Sequence, residues 1–242
     1  MQAAEALVAE RSARWILAHL PAGARVLDVG CGPGAVAARL AAAGHPVVGL
    51  DVDPQAVEAA KARGIDARLE DIREHAGGNY DAIVFAWSLH HVRDLEGALD
   101  AAWARLRPGG RLLVLEMAFD EVDEKTKAWA RTVEALLLHA GAVEETGCIF
   151  FAYEGGRPHG HHAEAPHPHE THDFHPSRRI WAALEARFRP LESERCPILH
   201  VFLARALGDR SSVLEDVIAL ETHAVEHGAI VPVGRLWVFE RT

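Results

Sequence analysis

The sequence predicts an α/β fold: a doubly wound, seven-stranded and mostly parallel sheet with helices on both faces. Short apolar runs alternate with helical stretches through the first half of the chain. Several of these runs are almost continuously hydrophobic, as strands covered on both faces must be. Glycines and a proline stand where the intervening helices would end or begin. Strands alternating with helices form βαβ units, which indicates a Rossmann-like sheet.

Seven segments are candidate strands, five in the first half of the chain and two near its end. They are residues 25–29, 46–51, 66–70, 81–86, 110–116, 190–196 and 235–240. Residues typical of helix ends lie between these segments, in agreement with this division. Asp53 followed by Pro54 is typical of an N-cap and a first-turn proline. Gly44, Gly64 and Gly109 stand at positions typical of helix C-caps.

The alternation of strands and helices stops after Met117. We predict helices over residues 121–140 and 177–187, followed by a strand. A further helix is expected to open at Ser212-x-x-Glu215, which is a capping-box pattern. This second half therefore completes the sheet and adds a helical and loop cover.

Length and composition limit the classes of protein. At about 150 residues per domain, 242 residues are predicted to form a single domain, 1–242. In it, residues 1–117 hold the N-terminal helix and the cofactor-binding half, and 118–242 form the substrate-side cover and closing strands. The net charge of −10 argues against nucleic acid or an anionic membrane as the main partner.

The cysteines and the opening segment predict a cytoplasmic protein. Three widely spaced cysteines, Cys31, Cys148 and Cys196, give neither a disulfide framework nor a paired-cysteine zinc site. The first twenty residues are interrupted by charges and resemble an amphipathic helix. They match neither a secretory signal nor a membrane span.

The most informative stretch is VLDVGCGPG at residues 26–34, which joins the first strand to its helix. Gly30, Gly32 and Gly34 allow a ligand to lie against bare backbone at a helix N-terminus. The pattern Gly30-x-Gly32-x-x-Ala35 also fits the dinucleotide fingerprint. The turn alone therefore leaves a nicotinamide-dependent oxidoreductase as an alternative.

Two acids beside this turn favour a different ligand. Asp51 ends the second strand, 21 residues after Gly30, at the spacing where an acid accepts hydrogen bonds from both ribose hydroxyls. Asp28 directly precedes the turn, where its charge would repel a pyrophosphate and attract an ammonium or sulfonium group. S-adenosylmethionine has a ribose and a positive charge in place of phosphate, so it fits this pattern.

Five successive motifs resemble those of the class I S-adenosylmethionine-dependent methyltransferases. They are VLDVGCGPG (26–34), VVGLDVDP (47–54), LEDI (69–72), YDAIVFAWSLHHV (80–92) and LRPGGRLLVLE (106–116). The resemblance covers residues 10–117 and is closest to bacterial small-molecule and quinone-type methyltransferases. It implies an enzyme that transfers a methyl group to an O, N or C nucleophile of a small molecule. Residues 118–242 resemble the family only loosely.

The resemblance also implies a role for each matched position. Asp28 would help to hold the methionyl amine, and Asp51 would bind the ribose hydroxyls. The other implied cofactor-binding residues are Gly30, Cys31, Gly32 and Gly34 in the turn, Val52, Asp71 and Ile72 around the adenine, and Ala86 and Trp87 beside the sulfonium. The sequence Ala-Trp-Ser at 86–88 departs from the Asn/Asp-Pro-Pro-Tyr pattern of amino-methylating nucleic-acid enzymes.

The candidate catalytic bases are His90, His91 and Glu116, which follow or end strands of the predicted sheet. A sulfonium already activates its methyl group, so the protein has to position the nucleophile, exclude water and remove a proton where there is one. We expect one of the two histidines to turn inward as a packing group. Glu116 has the alternative role of accepting a hydrogen bond from a backbone amide.

A histidine-rich segment lies at residues 159–175. Its members are His159, His161, His162, His167, His169, His172 and His175. One prediction is a divalent-metal site, although the spacing of these histidines matches no known zinc motif. The other is a polar loop, interrupted by prolines, that covers the substrate. A non-catalytic metal-binding module is therefore a second alternative for the chain. The sequence leaves the acceptor and the oligomeric state open.

Overall fold

The structure is a computed structural model that describes residues 3–144 and 175–242. Within these ranges the strands are β1 Val26–Val29, β2 Val47–Asp51, β3 Asp66–Leu69, β4 Tyr80–Ala86, β5 Leu106–Met117, β6 Arg189–Cys196 and β7 Gly234–Glu240. The helices are α1 Ala3–Ala18, α2 Ala35–Ala42, α3 Pro54–Ala62, α4 Leu95–Arg105, α5 Glu124–His139, α6 Ser177–Glu185, α7 His200–Leu207 and α8 Ser211–Glu226. Short 3-10 turns occupy Leu89–His91 and Phe119–Glu121. None of these helices has the combination of length and apolar character that a bilayer crossing requires.

The seven strands form one sheet in the order β3-β2-β1-β4-β5-β7-β6. The pairs β1–β2, β2–β3, β1–β4 and β4–β5 are all parallel, which confirms the predicted doubly wound fold. The chain winds outward from β1 to β3 and then returns to place β4 on the other side of β1. The carboxyl ends of β1 and β4 thus form a topological switch point, where open α/β sheets bind ligands.

The described chain divides into two compact units. The sheet unit comprises residues 9–116, 177–194 and 235–242. The helical unit comprises the described residues of 1–8, 117–176 and 195–234, and includes α5, α7 and α8.

The core of the sheet unit holds the switch point in place. Leu27 of β1, Ile83 and Phe85 of β4, and Leu112 and Val114 of β5 are buried together. Residues two apart on a strand face the same side, which is why Ile83 and Phe85 share this cluster. Burial of each such side chain contributes about 1.5–3 kcal/mol.

Most of the predicted helix caps are confirmed. The side chain of Asp53 accepts a hydrogen bond from the Gln55 amide at 2.8 Å and so caps α3. Gly44 and Gly64 follow the ends of α2 and α3 with φ of 92° and 82°. The prediction for Gly109 was wrong, because α4 already ends at Arg105 and Gly109 lies within β5.

The capping box predicted at Ser212 is also wrong. Helix α8 begins one residue earlier, at Ser211, and its N-cap residue Arg210 makes no side-chain capping bond. The Arg210 amide donates to the Leu207 carbonyl at the end of α7. This short connection between the two helices leaves Ser212 inside the first turn of α8.

Candidate functional site

The three glycines of the turn adopt left-handed conformations for different reasons. Their φ values are 70°, 54° and 76° at Gly30, Gly32 and Gly34. A Cβ at Gly30 would lie 2.6 Å from the Ser88 Cβ, and one at Gly34 would lie 2.8 Å from the Ala60 Cβ. A Cβ at Gly32 would meet no heavy atom within 4 Å. Gly32 is therefore the glycine whose bare backbone faces open space.

The turn is anchored to the strands on both sides of β1. The amides of Gly30 and Cys31 donate to the Leu50 carbonyl of β2 at 2.8 and 2.9 Å. On the other side, the Ser88 hydroxyl donates to the Val29 carbonyl at 2.7 Å and so links the ends of β4 and β1. These bonds fix the turn before any ligand binds. Sequence reasoning did not single out Ser88.

Asp51 is held beside the turn, as the sequence spacing predicted. One carboxylate oxygen accepts a hydrogen bond from the Gly32 amide at 2.7 Å, and the other accepts one from the Asp53 amide at 3.0 Å. A carboxylate has about four acceptor positions, so each oxygen can accept a further bond. The arrangement orients Asp51 for a ligand that offers two donors.

Asp28 is the electrostatic anomaly of the site. The residue is 1% exposed, and both carboxylate oxygens are buried without a hydrogen-bond partner among the described residues. Burial, followed by the charge of Asp51, raises the pKa of Asp28 from 3.8 to about 7. A buried carboxylate without a partner is costly, so this position calls for a cation or a donor that the described residues do not supply.

Two exposed apolar side chains lie beside Asp51. Val52 follows it directly and is 46% exposed, and Leu69 at the end of β3 is 57% exposed. Leu69 is the register partner of Asp51 in the β2–β3 pair. Together they offer an apolar surface on which a flat ring can pack. Leu69 was missed because an apolar residue at a strand end looks like core in the sequence.

The segment after β3 places its two predicted residues differently. Ile72 is buried in the core of the sheet unit, so only its backbone is available to a ligand. The Asp71 carboxylate accepts hydrogen bonds from the Arg73 amide, Nε and Nη2 at 2.8, 3.0 and 2.9 Å, and Arg73 holds its pKa below the usual value. Arg73 also reaches Asp94 at 3.1 Å, which ties this segment to the start of α4.

Trp87 follows β4 in a conformation that is unusual for a bulky residue. Its φ is 61°, in the left-handed region, where the backbone of any residue other than glycine is strained. Its amide donates to the Leu115 carbonyl at 2.8 Å, and its indole Nε1 donates to the Ser12 hydroxyl of α1 at 3.3 Å. Ala86, Trp87 and Ser88 are all partly exposed at the end of β4.

The three candidate bases separate into a buried pair and an exposed neighbour. His90 and Glu116 are buried. Nδ1 of His90 lies 2.5 Å from Oε1 of Glu116, and the His90 amide donates to Oε2 at 3.1 Å. His91 is exposed, with its ring centroid 4.1 Å from that of His90. The expected inward histidine is therefore His90, and Glu116 does bind a backbone amide.

The contact with Glu116 determines which ring nitrogen of His90 carries the proton. A carboxylate accepts hydrogen bonds, so Nδ1 of His90 carries the proton between the two groups. The other ring nitrogen, Nε2, is then the basic one. A carboxylate that fixes the tautomer and orientation of an imidazole is a recurrent arrangement for proton removal.

Cys31 packs as a small apolar group. It belongs to a buried cluster with Ala37, Val57 and other small side chains. A Cβ at Gly49 would lie 2.8 Å from its sulfur. Burial and the charges of Asp28 and Asp51 raise the pKa of the thiol, so Cys31 stays protonated.

Six of the seven histidines predicted to cover the substrate or bind a metal lie outside the described residues. The seventh, His175, is buried at the start of the second described range. Its side chain belongs to the helical unit.

The fold and the site indicate the class of protein. The glycine turn lies at the switch point of a Rossmann-like sheet. Two acids lie beside it: Asp51 at the end of β2, and Asp28, which is buried and has no hydrogen-bond partner among the described residues. A family profile described as a methyltransferase domain matches residues 2–150, which is more than half of the 242 residues. The chain therefore belongs to this family and carries the class I S-adenosylmethionine-dependent methyltransferase fold.

Curated relatives agree with this assignment over part of their length. The chain is 36% identical over 125 residues to a ribosomal protein L11 methyltransferase of Dechloromonas aromatica, covering 49% of this chain and 41% of that protein. It is 34% identical over 103 residues to a ubiquinone biosynthesis O-methyltransferase of Xanthomonas axonopodis, covering 39% and 43%. The chain thus spans about two fifths of the length of these relatives.

Solved structures share the fold at low sequence identity. The N-methyltransferase NodS of Bradyrhizobium japonicum matches with a TM-score of 0.55 at 17% identity, over 99% of this chain and 88% of that one. The geranyl diphosphate C-methyltransferase of Streptomyces coelicolor matches with a TM-score of 0.58 at 14% identity, over 96% and 79%. At these identities the likeness concerns the fold alone.

Proposed function

We propose that this chain transfers a methyl group from S-adenosylmethionine to an O, N or C nucleophile of a small molecule. The observation that carries the proposal is Asp28, a buried carboxylate beside a bare-backbone turn that has no hydrogen-bond partner among the described residues. S-adenosylmethionine supplies both an ammonium and a sulfonium. Either charge, directly or through water, would satisfy an acid that residues 3–144 and 175–242 leave unpaired.

The remaining contacts are proposed from the positions of the matched residues around the turn. Asp51 would accept bonds from the ribose hydroxyls while it keeps its bonds from the Gly32 and Asp53 amides. Val52 and Leu69 would pack on the adenine. Asp71 would accept a hydrogen bond from the adenine amine at the acceptor position that its three bonds from Arg73 leave. Ala86 and Trp87 would border the sulfonium from the end of β4. Gly30, Gly34 and Cys31 would shape the turn rather than contact the ligand with side chains.

The same geometry disfavours the nicotinamide alternative. A dinucleotide places its pyrophosphate over the glycine turn, where the charge of Asp28 would repel it. Two unit charges 4 Å apart interact by about 4 kcal/mol near a protein surface. Asp28 has no ion-pair partner among the described residues to offset that repulsion.

For an acceptor that loses a proton, we propose His90 as the general base. Glu116 would hold its imidazole with Nδ1 protonated, so that Nε2 receives the proton from the nucleophile. A general base of this kind contributes typically 10²–10⁴-fold to the rate. His91, which is exposed beside His90, is the lesser candidate.

The acceptor is proposed to be a small molecule rather than a nucleic acid. The net charge of −10 disfavours a polyanionic substrate, and two of the relatives above are ubiquinone biosynthesis and geranyl diphosphate enzymes by name. A phenol or another weakly acidic hydroxyl would suit an oriented imidazole base. The absence of a disulfide pattern supports a cytoplasmic location.

Calorimetric titration tests the cofactor assignment. S-adenosylhomocysteine and S-adenosylmethionine should bind to the full chain, whereas NADH should not. Tight binding of NADH without binding of S-adenosylhomocysteine would overturn the proposal. Methyl transfer would then be measured as S-adenosylhomocysteine released in the presence of phenols, amines and activated carbon acids, each in a separate reaction.

A further inference from the structure

We propose a divalent transition-metal site at the carboxyl end of α8, formed by His223, Glu226 and His227. Glu226 and His227 lie three and four residues after His223, so each neighbours His223 on the helix surface. One ligand atom from each lies within 4.8 Å of the other two, and all three residues are exposed. The site belongs to the helical unit and is independent of the proposed methyl transfer.

His227 is already oriented for ligation. Its Nδ1 lies 2.9 Å from the His223 carbonyl oxygen, and because a carbonyl only accepts, Nδ1 carries the proton. Nε2 is then the nitrogen with a free lone pair. Metal-binding histidines typically donate their other ring N–H to a carbonyl or carboxylate in this way. The two imidazole rings lie with their centroids 4.0 Å apart.

The local charges favour a cation. Helix α8, with the sequence SSVLEDVIALETHAVE, contains no lysine or arginine. The carboxyl end of a helix carries a partial negative charge, and His227 is the C-cap residue. Within residues 3–144 and 175–242 the Glu226 carboxylate forms no ion pair or hydrogen bond, so a bound cation would not have to displace an arginine or a lysine.

The donor set indicates which metals would bind. Two imidazole nitrogens and one carboxylate oxygen suit Zn²⁺, and also Ni²⁺ and Cu²⁺, whereas Ca²⁺ and Mg²⁺ prefer sites made of oxygen. Three protein ligands leave at least one coordination position for water or for an outside ligand.

Metal binding should stabilise the helical unit. The preceding turn of α8 carries Glu221, which is buried and accepts from the Leu199 amide at 2.8 Å and from Nδ1 of His200 at 2.8 Å. Glu221 thus joins α8 to the start of α7. A metal bound by the last turn of α8 would reduce fraying of the helix close to the α7–α8 contact. A ligand that binds only the native state raises the unfolding temperature.

Zinc titration of the full chain tests the proposal. Imidazole is a general zinc ligand, so the six histidines between residues 159 and 172 are first replaced by glutamine to remove competing donors. His223→Ala, His227→Ala and Glu226→Gln are then each made in this background and compared with it. His139→Ala is the matched control. His139 is also exposed at a helix end, with Nδ1 2.6 Å from the Ala135 carbonyl, but it has no partner imidazole one turn away on α5.

We expect the background and His139→Ala to bind one equivalent of Zn²⁺ and to unfold at a higher temperature when it is present. His223→Ala and His227→Ala should bind at least tenfold more weakly and lose the temperature shift, and Glu226→Gln should lie between. Far-ultraviolet circular dichroism without metal checks that the helices persist. A background that binds no zinc, or histidine variants that bind as well as the control, would overturn the proposal.

Discussion

Replacement of Asp28 by asparagine should stabilise the protein at alkaline pH and weaken its binding of S-adenosylmethionine. Asparagine has nearly the same shape but stays neutral, so it removes the buried charge without opening a cavity. Both effects have the same physical origin, because Asp28 is an acid held in a buried position without a partner in the described part of the chain. A residue that served only the fold would not combine a gain in stability with a loss of binding.

The magnitude follows from the pKa of Asp28. A carboxyl whose pKa is higher in the native state than in the unfolded chain binds more protons when folded, so the unfolding free energy falls as pH rises between the two values. For Asp28 that interval runs from 3.8 to about 7. At about 1.4 kcal/mol per pH unit, the wild-type chain should lose about 4 kcal/mol across it, and Asp28→Asn should not.

The assay is urea unfolding of both ligand-free proteins at intervals between about pH 5 and pH 8. Other titrating groups are common to both, so they cancel in the difference between the two unfolding free energies. That difference should grow in favour of Asp28→Asn as pH rises. A difference that stays constant with pH would refute a buried, unpaired and titrating Asp28.

Binding provides the second half of the same test. In the wild-type protein the affinity for S-adenosylhomocysteine, which retains the ammonium, should fall as pH drops below about 7, because protonation removes the attracting charge. In Asp28→Asn the affinity should be lower at pH 8 by at least tenfold, or about 1.4 kcal/mol, and this pH dependence should be absent. Equal affinities at pH 8 would remove Asp28 from the cofactor site.

Three further predictions concern the rest of the site. Asp51→Asn should weaken S-adenosylhomocysteine binding at least tenfold by calorimetry; an unchanged dissociation constant would contradict the ribose assignment. His90→Gln should lower kcat by about 10²–10⁴-fold with unchanged cofactor affinity, and His91→Ala should lower it less; the reverse order in steady-state kinetics would exchange their roles. Gly30→Ala should destabilise the fold through its contact with the Ser88 side chain, whereas Gly32→Ala should lower the unfolding free energy by only about 1–2 kcal/mol yet impair cofactor binding. Thermal unfolding and calorimetry on both variants separate these effects.

Local sequence patterns predicted the sheet and the turn well. Strands buried on both faces need continuous apolar runs, and helices between them need caps, so both signals are written in neighbouring residues. Gly109 and Ser212 were wrongly predicted to be capping residues. The ends of a helix also depend on the element that precedes or follows it in the fold. At α4 the chain enters β5 directly, and at α8 it arrives over a short link from α7.

Contacts between distant residues were harder to predict. Ser88 reaches Val29, and Trp87 reaches Ser12 of α1, across separations of 59 and 75 residues. Leu69 offers its side chain to solvent at the end of β3, although its sequence neighbours suggest a core residue. The two contacts form only when elements that are far apart in sequence come to lie side by side.

The chemical character of the cofactor site could be inferred from order and spacing along the chain, because an acid one strand away from a glycine turn must end at the same edge of a parallel sheet. Packing decided which histidine faces inward. It also decided that Asp28 has no hydrogen-bond partner within residues 3–144 and 175–242. Those properties arise from desolvation and from neighbours brought in by the fold, and no linear pattern of residues encodes them.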